Sequence, residues 1–185
     1  MRRLIFALVL AASLGMVAHA QPDAALPPDE ANASRMTFDG LHEVILRIDP
    51  DAVREGAVIN LTVADVQVTA VVDEEADRMR FIAPVAEEGA MPAELFRRLL
   101  QADFDTALDA RYAIAQGLVW ATYIHPLSPL TEEQVGSGLA QTVNLVLSFG
   151  GSYSSGALVF GGGDSEQIYE DLVRELQERA IDDSI

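Results

Sequence analysis

The 185-residue chain carries 29 acidic and 12 basic side chains, for a net charge of −17, and has no cysteine. Every basic residue is an arginine. A surface this acidic repels phosphate backbones and anionic headgroups, which argues against nucleic acid and membrane surfaces as partners, and the missing residue types exclude thiolate, disulfide and lysine Schiff-base chemistry.

The first twenty residues read as an export signal. Arg2 and Arg3 precede an uncharged apolar run over residues 4–17, and Ala18-His19-Ala20 places small residues at both positions a signal peptidase reads. The run is shorter than the roughly 20 residues of a membrane span. Cleavage after Ala20 is therefore expected, which removes 20 of 185 residues and takes the net charge from −17 to −19. The mature chain is expected in the periplasm or outside the cell, with no stable membrane anchor.

Residues 21–33, with three prolines and no apolar period, form an expected leader. The domain proper is expected over 34–149. Leu41, Val44, Ile45 and Ile48 share one face of a first helix that Pro50 closes, and His42, Glu43 and Arg47 are expected on its exposed side. Over residues 57–85 the period changes to two. Ile59, Leu61 and Val63, then Val66, Val68 and Ala70, then Met79 and Phe81 alternate with polar residues, predicting three meandering strands. Leu95, Phe96, Leu99, Leu100 and Phe104 follow at helical spacing over 92–104.

Residues 111–116 and 118–124 predict two paired strands about a Gln116-Gly117 turn. Trp120, in phase with Leu118 and Ile124, is expected in the core and Tyr123 on the exposed face. Thr131 and Gln134 make a capping box for a helix whose stripe is Val135, Leu139, Val143 and Val146. A Gly/Ser-rich connector is expected over 150–163, with an apolar run at 157–160. The last segment, 164–185, predicts an acidic amphipathic helix with Ile168, Tyr169, Leu172 and Leu176 inward, which must dock somewhere. The fold class this order implies is α+β: an antiparallel sheet of about five strands packed by helices, α-β-β-β-α-β-β-α, plus a C-terminal helix.

No constellation of reactive residues emerges, so no catalytic residue, cofactor or metal is expected. His42 and His125 each lack a nearby histidine and read as surface or loop residues. Asp73, Glu74, Glu75 and Asp77 form an acidic turn without the ligand alternation or central glycine of a calcium loop. Asp103, Asp105 and Asp109 could supply paired carboxylates, yet nothing beside them marks a sugar cleft. Gly151 and Gly156 have phosphate-loop spacing, but Ala157 stands where lysine is needed, and Ser152, Ser154 and Ser155 lack a nucleophile elbow.

Over residues 36–149 three features, VINLTVADVQVTAVVDEEADRMRFIAPV, the LFRRLLQADF helix followed by ARYAIAQGLVWATYIHPL, and LTEEQVGSGLAQTVNLV, together resemble the type III secretion chaperone superfamily, including its Tir-chaperone-like and YbjN-like domains. The resemblance implies a dimeric, non-enzymatic platform that holds a protein or extended peptide segment against apolar patches. It implies a partner or dimer surface on the first helix and the 92–104 helix. The residues singled out for it are Leu41, Val44, Ile45, Ile48 and the exposed aromatic Tyr123. An envelope protein that only dimerises, and a hydrolase built on the acidic loops, are the alternatives.

Overall fold

Helix α1, Phe38–Ile48, starts where Thr37 accepts the Gly40 N–H through its hydroxyl and ends as the chain turns extended at Asp49 before Pro50. The computed structural model describes residues 35–105, 107–149 and 166–181. These fall in the second of the two units into which the chain divides, Met1–Ala33 and Ser34–Ile185. The expected signal segment, the leader and the 150–163 connector lie outside the described residues.

After α1 come β1 Val53–Glu55, β2 Val58–Val63, β3 Val66–Asp73 and β4 Arg78–Glu87, then a 3-10 turn at Glu88–Ala90 and helix α2, Ala93–Asp105. Strands β5 Arg111–Ala115 and β6 Leu118–Pro126, then helices α3 Glu132–Leu147 and α4 Glu166–Ala180, complete the order. This is the expected α+β arrangement with a sixth strand. The short β1 is exposed throughout and so has no alternating pattern to announce it. All strand pairs are antiparallel, in the order β1-β2-β3-β4-β6-β5. Both central residues have positive φ at the Ala64-Asp65 and Gln116-Gly117 turns, the conformation that matches the twist of a two-residue hairpin.

One face of the sheet is apolar and covered. Ile59, Leu61, Val63, Val68, Ala70, Met79, Phe81, Val119, Ala121 and Tyr123 are buried, and α1 and α3 supply Leu41, Ile45, Val135, Leu139 and Val143 to the same core. The other face is open. Pro84 interrupts β4 beyond Ile82, where the β3 ladder has ended, so its missing N–H leaves no partner unsatisfied on that side.

Helix α3 lies between the sheet and α4, and two glycines make the fit. A Cβ at Gly138 would sit 2.7 Å from the Tyr123 ring, and one at Gly136 would sit 3.0 Å from the Leu176 carbonyl oxygen and the Gln177 nitrogen. Glycine inside a helix costs about 0.5–1 kcal/mol relative to alanine. Here the absent side chains allow both contacts. Leu172, Leu176 and Ala180 of α4 are buried as a result. Arg47 of α1 then closes the end of α4, donating from Nε and Nη2 to the Ala180 carbonyl (2.9 and 2.6 Å) and from Nη2 to Glu132 (2.6 Å). Those last-turn carbonyls have no partner within their own helix. The expected exposed side of α1 is thus corrected: Glu43 faces solvent, but His42 and Arg47 are half-buried. No helix among the described residues is long and apolar enough to cross a membrane.

Gly136→Ala is expected to destabilise the protein by about 1–3 kcal/mol in urea unfolding, because the added methyl overpacks against backbone, and to speed hydrogen exchange in α4. A stabilised variant, the usual result of Gly→Ala at an open helical position, would refute the close α3–α4 contact.

Candidate functional site

The five residues expected to form a partner surface are core residues. Leu41, Val44, Ile45, Ile48 and Tyr123 are each no more than 5 % exposed. The apolar face of α1 is filled by the chain's own sheet and by α3, so that expectation is corrected. The phase of β6 is corrected too. Val119, Ala121 and Tyr123 point inward and Trp120 sits half-exposed on the open face, donating its indole N–H to the Ala115 carbonyl (3.0 Å). Tyr123 is drawn in because Gly138 leaves room for its ring, which stacks on Phe81 with centroids 6.0 Å apart.

The apolar surface left over lies at the far end of the sheet. Of the five residues expected along the α2 stripe, only Leu99 is fully buried; Leu95 and Phe96 are half-covered, and Leu100 and Phe104 are 71 % and 73 % exposed. Between α2 and the edge strand β5 runs an open cavity of about 190 Å³ lined by Phe96, Leu99, Leu100, Tyr112, Ala113, Ile114 and Val119. No charged side chain lines it. Strand β5 has β6 on one side and no strand on the other among the described residues. Ile114, on its groove face, is 53 % exposed.

The wall of this groove is held by polar contacts with no reactive geometry. Asp103 accepts the Tyr112 N–H (2.8 Å), and burial raises its carboxyl above the ordinary carboxylate range against the opposing pull of that bond and of Arg111. Gln141, buried in α3, accepts the N–H groups of Asp109 and Ala110 through one oxygen (2.7 and 3.0 Å) and so fixes the loop into β5. Tyr112 donates its hydroxyl to the Leu145 carbonyl (2.7 Å). The Asp103 carboxylate is therefore spent on positioning backbone, whereas at Asp109 it is the main-chain N–H that is held. Gln141 was not legible in advance, since a lone glutamine on a helix carries no pattern.

The other candidate groups stay apart. Asp77 accepts from the Ser128 N–H and hydroxyl (both 2.8 Å), which lowers its pKa, and Asp73 accepts the Ala76 N–H (2.9 Å), so this turn is tied internally. His125 donates from Nδ1 to the Pro126 carbonyl (2.7 Å) with its ring over Tyr123, and His42 Nε2 is buried without a hydrogen-bond partner. A shallow cavity on the open sheet face near Ile124 has Asp73 with Arg78 and Arg80, so neither cavity brings two carboxylates together. Among the described residues no three of His, Asp or Glu cluster as a metal site. The residues of the Gly151–Gly156 motif and its serines lie outside the described residues.

No protein-family model and no curated protein matches the chain. Among solved structures it is similar to the ExsC–ExsE complex, at 19 % identity over 51 % of this chain and 78 % of that one, with a TM-score of 0.40. It is also similar to the HopA1–SchA chaperone–effector complex, at 14 % identity over 61 % of this chain and 96 % of that one, with a TM-score of 0.46.

Asp103→Asn keeps an acceptor for the Tyr112 N–H and removes a charge that burial disfavours. Because the folded pKa is raised, the carboxylate costs stability at neutral pH and that cost disappears as the pH falls through the raised pKa to the unfolded value. The Asn variant is expected to be the more stable at pH 7 and to lose that advantage towards pH 4, read as the difference between urea midpoints. Gln141→Leu, leaving the buried Ala110 N–H and the part-buried Asp109 N–H without this acceptor, is expected to cost about 1–3 kcal/mol in urea unfolding.

Proposed function

We propose that this chain is a non-catalytic, chaperone-like module that binds an extended segment of another protein, acts as a homodimer, and works outside the cytoplasm after loss of residues 1–20. The observation that carries the binding role is the open apolar groove between α2 and β5. It joins exposed Leu100 and Ile114 to a strand edge that no other strand covers among the described residues. A sheet edge offers main-chain hydrogen bonds to any extended segment, and the apolar wall beside it selects side chains at alternate positions. Solvent-exposed leucine and phenylalanine on one helix mark an interaction surface when they are contiguous. The lining has no carboxylate, histidine or hydroxyl nucleophile poised for chemistry. The order of elements, with the resemblance read from residues 36–149, supports the same role.

The homodimer draws on the outward pair Leu100 and Phe104, which lies at the rim of the groove on the exposed side of α2. Export draws on the N-terminal residues alone, and a mature chain beginning at Gln21 by intact mass is its test.

The binding role is tested by capture from envelope extract on the immobilised chain, with a Leu100→Asp, Phe104→Asp variant alongside. Retention of one or a few proteins by the wild type, reduced at least tenfold by a variant with unchanged circular dichroism, is the expected outcome. Equal retention by both would remove the groove as the binding surface. A wild type that sediments as a dimer with no captured protein, and a variant that sediments as a monomer, would assign the surface to self-association alone.

A further inference from the structure

We propose that the face of α1 and α3 beneath α4 is an exchangeable helix-docking groove, in which α4 is the resident occupant and a basic amphipathic helix of another protein is the ligand that displaces it. This surface is separate from the groove at β5.

The rest of the fold holds α4 largely through atoms that any helix possesses. At Gly136 the close approach is to main-chain atoms, the Leu176 carbonyl oxygen and the Gln177 nitrogen. Arg47 likewise grips a main-chain carbonyl, that of Ala180, with Nε and Nη2 (2.9 and 2.6 Å). Every helix end offers such an acceptor, because its last carbonyls have no partner within the helix. The side chains buried beneath α4 are Leu172, Leu176 and Ala180, an apolar stripe at four-residue steps. Recognition of this kind requires a helix backbone with two leucines and one small residue in register, and constrains the other positions little.

The charges of α4 work against its docking. The helix carries five acids and two arginines, a net −3, in a chain whose total is −17. Its ion pairs, Arg174–Asp171 and Arg179–Glu175, lie within the helix and are exposed. Among the described residues no ion pair joins it to another element. Exposed Glu43 stands one turn from Arg47 on the same side of α1, and Glu132 and Glu133 open α3 where it meets the end of α4. An acidic helix meets repulsion there. A basic helix with the same stripe meets attraction, and the field of the whole chain steers it in. No charged side chain lines the groove at β5, so the net charge has no use on that surface; beneath α4 it selects the ligand. A second copy's α4 is chemically the same helix and offers this face nothing that the resident one lacks.

Displacement is local. Helices α1 and α3 bury Leu41, Ile45, Leu139 and Val143 with the sheet, and α4 is a further layer outside them. A helix of about this length is marginal in water by itself, so its release belongs among the low-energy local openings of a fold.

The test uses the full chain and a synthetic peptide of residues 166–181 carrying Glu170→Arg, Asp171→Arg, Glu175→Arg and Glu178→Arg, all at exposed positions. Two reference peptides accompany it: the native sequence, and the basic peptide with Leu172→Asp and Leu176→Asp added. Binding is read by calorimetry, and hydrogen exchange is followed in residues 170–180 and in β4. The basic peptide is expected to bind saturably, at least tenfold tighter than either reference, and to speed exchange in 170–180 at least tenfold with β4 unchanged. Leu172→Ala in the chain weakens only the resident helix and is expected to tighten the basic peptide at least threefold. Equal binding of the two basic peptides would reduce the effect to charge attraction and overturn the proposal. Binding without faster exchange in 170–180 would overturn it by placing the peptide elsewhere, and exchange rising in β4 together with α4 would overturn it by making α4 part of the cooperative core. An affinity unchanged by Leu172→Ala would overturn it as well.

Discussion

The structure depends on the close approach of α3 to two neighbours at once. Gly138 lets the helix sit down on the Tyr123 ring, and Gly136 lets the backbone of α4 sit down on the helix. With side chains at both positions the three layers of sheet, α3 and α4 could not share one axis of packing. The buried positions of α1 and β6 follow from that arrangement, because α3 fills the centre of the sheet and α1 fills the part over β2.

The same arrangement leaves one end of the molecule thinly covered. With α3 placed over the middle of the sheet, β5 is left at the margin with α2 as its cover, and α2 turns Leu100 and Phe104 outward. The polar groups nearby hold shape. Asp103 and Gln141 satisfy backbone donors at the start of β5, which keeps the strand in place beside a groove too open to hold it by packing. An apolar surface that the fold itself maintains in this way is suited to receiving a segment from elsewhere.

Much of the fold could be read from the residues. The alternation of Ile59, Leu61 and Val63, the Gln116-Gly117 turn and the Thr131–Gln134 capping box each depend on chemistry within a few positions, and each stands as expected. What could not be read was which of two apolar faces wins burial. Trp120 and Tyr123 lie on opposite sides of β6 with apolar neighbours on both, and the choice is made by a glycine in a helix that follows them. The site was misplaced for a related reason. The α1 stripe Leu41, Val44, Ile45 and Ile48 and the α2 stripe ending in Phe104 have the same periodicity, and only the position of the sheet shows that the first is filled and the second is not.

The grip of Arg47 on the Ala180 carbonyl joins the first helix of the described chain to the last. Such a contact is among the most distant in sequence that the fold makes, so the entropy of closing a long loop must be met before it forms. The final turn of α4 must therefore leave the ribosome before α1 has its full set of neighbours. A chain without α4 would present Gly136 and its flanking surface to solvent.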